Sequence, residues 1–358
     1  MEGEKRSFEG GGMRSSPPPV RERSRGVLLG LAAGDAFGTT LEFSEPKAPP
    51  FPNLAQGPHV EILGDGPFRV VPGQVTDDTQ MACCLGASLA AQGKFDVEDV
   101  ARRYVEWQQH AFDVGVQTSA ALNAIREGIR PLEAGRQVWL GASRPPAGNG
   151  SLMRTAPIGV VFAADPAQRR AAALADSAIT HYDPRCRLAC AAFDSAIAHG
   201  VLGAQRPETL LEAARRELWH AASALRAEGG EGAAALSGAI RDIEEDLELA
   251  TRGDPELYGP TLHIHRHQGA VRVAFRLAFW ELLHAPTWLA GVVDAVNRGG
   301  DADTNGAIAG ALLGALHGEA AIPEAWRRLV LEAMPREAGP LRDAYHPKAL
   351  LATVGEAV

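Results

Sequence analysis

The stretches GVLLGLAAGDAFG (26–38) and GAIAGALLGALHG (306–318) each place glycine at every fourth position. Residues four apart share one face of a helix, so each stretch is a helix with a smooth groove along one side. A helical glycine costs roughly 0.8–1.0 kcal/mol relative to alanine, so four in one helix need a packing reason. In a membrane such a groove would be a dimerisation face. Here the apolar runs are too short and are interrupted by Asp35 and His317. The ladders are therefore expected to be buried helices at the centre of a water-soluble domain, which puts the acidic ends of both helices in the interior.

Outward from the ladders, apolar residues recur three and four apart almost throughout, the helical period. Asp165-Pro166 and Asp183-Pro184 each pair an N-cap with proline at the first helical position, opening helices to about Ala178 and Gly200. Further helical patterns cover about 208–226, 236–251 and 268–284. Phe68 to Val75 can be extended, but no set of strands able to build a sheet is present. The fold class is all-α in one domain, residues 25–358. Residues 1–24 (MEGEKRSFEGGGMRSSPPPVRERS) lack periodicity and read as a disordered arm, with order beginning near Gly26.

The chain has 358 residues and a formal net charge of −9, with 39 glycines and only 6% aromatic residues. A negative balance argues against binding duplex nucleic acid, which needs clustered Lys and Arg. Cys83, Cys84, Cys186 and Cys190 are too few and too clumped for a disulfide scaffold and read as buried thiols. With no apolar leader and no membrane-length run, the expectation is a cytoplasmic protein without a membrane span.

Two acidic segments stand at helix starts: Val75-Thr76-Asp77-Asp78-Thr79-Gln80 and Gly300-Asp301-Ala302-Asp303-Thr304-Asn305. Helix capping is the plain reading, and Asp77 with Gln80 has the form of a capping box. Neither cap needs two aspartates. Paired Asp with an adjacent Thr supplies the hard oxygen ligands that Mg²⁺ or Mn²⁺ prefers, and an unbalanced buried cluster of four carboxylates would be very costly. Together the segments point to a site for two divalent ions.

The chain resembles the ADP-ribosylglycohydrolase family, including its dinitrogenase-reductase-activating branch. The resemblance rests on GVLLGLAAGDAFGTTLEF (26–43), GQVTDDTQMA (73–82), GNGSLMRTAPIG (148–159), THYDPRC (180–186) and GGDADTNGAIAGALLGALHG (299–318). It implies a compact orthogonal helical bundle with a binuclear Mg²⁺ or Mn²⁺ centre. By position, Thr76, Asp77, Asp78, Asp301, Asp303 and Thr304 would hold the metals, with Asp303 bridging. Glu42, Asp78 and Asp303 would be the catalytic carboxylates. Glu42 would begin a loop that gates the site, with the Pro-rich stretch 44–53 as its lid. Asp35 would act behind the ligands or in helix packing. Asn149, Gly150, Ser151 and Met153 would face the diphosphate and ribose, with His181 beside them.

Other residues stay open on sequence alone. Arg154 fits a phosphate contact or an internal salt bridge, and Tyr182 an adenine stack or a helix-flanking position. His263, His265 and His267 alternate; in an extended segment they would face one side, as a zinc site requires, yet no acid or Cys partner is adjacent. The implied activity is cleavage of the glycosidic bond between ADP-ribose and a modified protein side chain, with ADP-ribosyl-arginine first. Alternatives are ADP-ribosyl-serine, O-acetyl-ADP-ribose, or a non-catalytic ADP-ribose-binding protein. Such a protein would be expected to have lost ligands, and here all six positions are intact.

Overall fold

In a computed structural model of the chain, the two glycine ladders lie against each other. The structure describes residues 20–46, 58–144, 146–259 and 261–357. Helices among these are α1 (Val20–Gly38), α2 (Asp77–Gln92), α3 (Val97–Gln108), α4 (Val116–Arg126), α5 (Pro131–Gly141), α6 (Ala156–Val161), α7 (Pro166–Thr180) and α8 (Pro184–Val201). They continue as α9 (Pro207–Glu228), α10 (Gly232–Leu249), α11 (Val271–His284), α12 (Trp288–Asn297), α13 (Ala302–His317), α14 (Glu324–Glu332) and α15 (Pro347–Ala357). Two isolated bridges, Asp65 with Val70 and Gly148 with Ala270, are the β pairing among the described residues. The fold is all-α, as the helical period requires. None of the described helices is long and apolar enough to cross a membrane.

Helices α1 and α13 run antiparallel with their backbones in contact. Gly26, Gly30 and Gly34 of α1 sit opposite Gly314, Gly310 and Gly306 of α13, and Gly38 meets Ala302 and Asp303. A Cβ added at any of these α1 glycines would fall under 3 Å from the opposite main chain. This is the packing reason that offsets the poor helix propensity of glycine. Aliphatic and aromatic side chains of the neighbouring helices bury the pair on every side, including Trp288, whose indole N–H donates to Gly310 O at 2.9 Å.

The antiparallel register brings the C-terminal end of α1 to the N-terminal end of α13. Helix α1 starts at Val20, and Arg23 and Ser24 are buried. The boundary expected after residue 24 therefore falls inside a helix, because Arg23 is tied by its guanidinium to Gly200 O at 2.6 Å. The rest of the expected arm, and most of the 44–53 stretch, lies outside the described residues. The two Asp-Pro starts form as read: Asp165 accepts from Ala167 N and Gln168 N, and Asp183 from Arg185 N. All four cysteines are free and buried.

Candidate active site

Both acidic helix starts are capped chiefly by carboxylates from elsewhere in the chain. Neither Thr76 at the start of α2 nor Asp301 at the start of α13 makes a side-chain cap hydrogen bond. The capping box expected of Asp77 and Gln80 does not form: the Gln80 amide donates to Val75 O and accepts from the Trp107 indole. Asp35, from the last turn of α1, caps α2 instead. It accepts from Thr76 N at 3.0 Å, Thr79 N at 3.1 Å and Thr79 Oγ1 at 2.5 Å. Glu42, just beyond α1, caps α13, accepting from Ala302 N at 2.6 Å and Asp303 N at 3.2 Å. Each borrowed carboxylate also sits at the positive end of a helix dipole, a favourable place for negative charge. Asp77, Asp78 and Asp301 are thereby relieved of capping, while Asp303 accepts from Thr304 N through Oδ1 at 2.7 Å and keeps Oδ2 unpartnered among the described residues.

They converge. Oxygens of Asp35, Asp78 and Asp303 lie within 4.8 Å of one another, and so do those of Glu42, Asp301 and Asp303. Asp303 belongs to both groups. The second group faces a cavity of about 250 Å³, also lined by Asp77, Asp113, Thr304, Asn149, Met153 and His181. Asp78 and Asp35 stand behind it, fully buried. The Thr76 hydroxyl lies there too, 3.0 Å from Asp35 Oδ1 and 3.1 Å from Asp78 Oδ2, with one proton to serve either.

Burial governs the electrostatics. It pushes Asp35 up to about 6 despite the threonine donors that stabilise its charge. Burial and the facing Asp301 push Asp113 up to about 6 as well. Asp77, Asp78, Asp303 and Glu42 are pushed well above the ordinary carboxylate range, first by burial and then by one another. Asp301 rises less, because Asn149 Nδ2 donates to its Oδ2 at 2.8 Å. Asp78 Oδ1 and Asp303 Oδ2 are buried with no hydrogen-bond partner. Buried polar atoms are rarely left unpaired, and paired buried charge is the usual exception to the cost of burial. An all-oxygen set with unpartnered carboxylate oxygens, and no Lys or Arg among the described residues of the cavity wall, fits hard divalent cations.

The glycine-rich turn forms the opposite wall. Gly148 N–H is taken by Gln117 Oε1 at 3.2 Å and Asn149 N–H by Gly269 O at 3.0 Å. The amides of Gly150 and Ser151 are left without an acceptor among the described residues. The Ser151 side chain does not face the cavity as expected: it points into the core, accepting from Ser177 Oγ at 2.9 Å. The reason is a helical turn at 149–153, which puts Asn149 and Met153, four apart, on the cavity side and Ser151 on the opposite side. The His181 ring packs directly on both glycines: a Cβ at 150 would come to 2.9 Å from its Cε1 and one at 148 to 3.1 Å from its Nε2. Burial and the nearby Arg154 lower the His181 pKa well below its ordinary value, so the ring is neutral. Its Nδ1 pairs with Thr180 Oγ1 at 2.8 Å.

Three open alternatives resolve. Arg154 makes the internal salt bridge, to Asp176 at 3.1 Å with both side chains fully buried, and props the turn through Gly150 O. Tyr182 packs on Trp139 and lines a separate cavity with Arg136 and Glu228, away from the acidic wall. The 263–267 segment is a turn rather than an extended strand, and its histidines bond their own backbone: His263 N donates to His267 Nδ1 and His265 N to His263 Nδ1. Those two nitrogens are thus spent on the turn.

Sequence reasoning passed over the 113–118 segment, where Asp113, Gly115, Val116, Gln117 and Thr118 all line the cavity. It carries no spaced motif, and its one signal is a lone Asp in the short connection between two helical patterns. Asp35 was visible, but its contact with the acidic group depends on α1 meeting α2.

The family model described as ADP-ribosylglycohydrolase matches residues 16–352. The chain is 31% identical to the ADP-ribosyl-[dinitrogen reductase] glycohydrolase of Rhodospirillum rubrum, over 86% of this chain and 90% of that one. It is 30% identical to the ADP-ribosylarginine hydrolase Tri1 of Pseudomonas putida (strain GB-1), over 87% of this chain and 75% of that one. A solved structure titled ADP-ribosylglycohydrolase-related protein complex superposes with a TM-score of 0.68 at 28% identity, over 95% of this chain and 99% of that chain. With its acidic helix starts meeting at one cavity, the chain belongs to the ADP-ribosylglycohydrolase family, as a hydrolase of ADP-ribosyl linkages.

Proposed function

We propose that the chain removes ADP-ribose from arginine side chains of proteins, with two divalent cations, Mg²⁺ or Mn²⁺, held between the starts of α2 and α13. The observation that carries this reading is the outsourced capping by Asp35 and Glu42, which relieves Asp77, Asp78 and Asp301 of capping and leaves Oδ2 of the shared Asp303 unpartnered among the described residues. Thr76 and Thr304 would complete the oxygen set. The chemistry such cations supply is Lewis acidity toward the hydroxyls of the terminal ribose and toward water.

The chain's own residues do the rest. The Gly150 and Ser151 amides offer donors for a diphosphate, and neutral His181 packs against the turn that carries them without adding charge. Asn149 holds Asp301 by its amide, fixing one carboxylate relative to the phosphate end. Glu42, Asp78 and Asp303 are the catalytic candidates. An oxocarbenium-like transition state at the anomeric carbon gains from such carboxylates, and one of them would accept the water proton. Arginine is favoured as the acceptor by the activity named for the Pseudomonas putida relative and by an acidic wall that holds no cation among the described residues.

The test is hydrolysis of ADP-ribosyl-arginine and ADP-ribosyl-serine peptides with Mg²⁺, Mn²⁺ or EDTA. The expected result is metal-dependent release of ADP-ribose from the arginine peptide. Turnover that survives both EDTA and Asp303→Ala overturns the two-cation reading. Tight ADP-ribose binding without turnover of either peptide would replace the enzyme with a binding module.

A further inference from the structure

We infer that Phe43, Phe68 and Phe112 form an aromatic face at the cavity mouth on which the guanidinium of the modified arginine stacks, an assignment that rests on the arginine reading above. The three rings come from separate parts of the chain: the residue after Glu42, the 64–72 loop, and the connection from α3 to α4. Phe43 and Phe68 meet edge-to-face with centroids 6.1 Å apart, and Phe68 and Phe112 are 5.9 Å apart. Phe43 is 56% exposed and Phe112 38% exposed, an unusual use of aromatic surface in a chain with so little of it.

Phe43 is also held against its backbone preference. Its φ is +58°, a region bulky residues avoid, and its N–H is anchored to Gly300 O at 2.8 Å. The same anchor keeps Glu42 on the α13 amides. The ring is thereby fixed at the rim, in the cavity wall beside Asp77 and Asp113.

Position along the substrate decides what the face meets. Glu42, one residue before Phe43, groups with Asp301 and Asp303, the carboxylates about the reacting end of ADP-ribose. The adenine lies at the far end of the molecule, beyond the diphosphate and the 148–150 turn. Rings beside Glu42 therefore face the leaving group. A planar cation between a π-face and carboxylates gains from both, whereas an uncharged serine hydroxyl gains little from either. Among the described residues the lining holds Glu42, Asp77, Asp113, Asp301 and Asp303 and no Lys or Arg, so a cationic acceptor is complementary to it.

Phe68→Leu and Phe112→Leu, singly and together, keep apolar bulk but remove one or two of the three rings and leave Phe43 and the Glu42 backbone in place. The expected result is a KM for ADP-ribosyl-arginine peptide raised about two- to thirtyfold in the double variant, with kcat little changed. The Kd for ADP-ribose, which has no acceptor, should not move, and Phe43→Tyr should retain the wild-type KM. A matching rise in the ADP-ribose Kd would place the rings on the sugar or base and overturn the assignment; so would an unchanged KM.

Should the wild-type chain turn over no arginine peptide, the proposed function fails by itself. The face is then read by calorimetry of Nα-acetyl-arginine amide on the ADP-ribose-saturated protein. Binding that weakens in the double variant sustains the face. No binding, or binding equal in both proteins, overturns it.

Discussion

The starts of α2 and α13 look alike in sequence, each a pair of aspartates with threonine, and each is capped by a carboxylate from the end of α1. They differ in how that carboxylate is held. Asp35 is on the helix itself, fully buried, and accepts from two amides and two hydroxyls. Glu42 lies four residues past the helix end, is carried by a backbone that strains at Phe43, and accepts from two amides, with no hydroxyl donor among the described residues. The α2 start is built as a fixed support; the α13 start is built on a connection that opens onto the cavity. The lesson is that one element can position two ligand sets with different stiffness, by placing one cap inside a helix and the other beyond it.

The comparison breaks most severely at the residue the two sides share. Asp303→Ala removes the carboxylate common to both groups, and turnover should fall by about 10³-fold or more, on the order of 4 kcal/mol of transition-state stabilisation. Calorimetry with Mg²⁺ should show weakened binding on the same variant. A small effect on both would mean that the two starts work independently.

Asp35→Ala tests the fixed side. It strips the acceptor from buried amides and hydroxyls at the head of α2, each unsatisfied group costing roughly 1–3 kcal/mol. Thermal unfolding should shift down by several degrees, and Mg²⁺ affinity should fall about 10- to 100-fold, as for other residues that orient ligands. An unchanged melting temperature would show that the α2 start does not depend on its borrowed cap.

The other side should separate stability from activity. Glu42→Gln keeps an oxygen to accept from Ala302 N and Asp303 N, so the melting temperature should hold within about 2 °C while kcat drops by about tenfold or more. Glu42→Ala should lose about 1 kcal/mol of stability besides. Equal kcat in wild type and Glu42→Gln would reduce Glu42 to a cap.

The smallest effect is a pH dependence of the metal-free chain. Asp35 and Asp113 are raised to about 6 from an ordinary value of 3.8, so between those values the folded state binds more protons than the unfolded state. Stability must therefore fall as pH rises through that window, and the raised Asp77, Asp78, Asp303 and Glu42 act in the same direction. In EDTA the melting temperature should be lower at pH 7.5 than at pH 5, and Mg²⁺ should shrink the difference. A melting temperature that rises over this range in EDTA would contradict the burial described for these groups.

What the sequence could convey was local. The four-residue glycine period, the Asp165-Pro166 and Asp183-Pro184 starts and the two acidic segments each depend on neighbours within a turn or two. They specified an all-α chain, its buried central helices and the acidic residues that gather around the cavity. Which carboxylate caps which helix is a contact over 41 residues for Asp35 and 260 for Glu42. The inward turn of Ser151, the Arg154–Asp176 pair, the arrival of Asp113 and the meeting of three phenylalanines are likewise decided by helices from distant parts of the chain. Such contacts follow from the antiparallel register of α1 on α13, set by backbone-to-backbone packing. A spacing pattern shows that a groove exists, but only the folded chain decides what fills it.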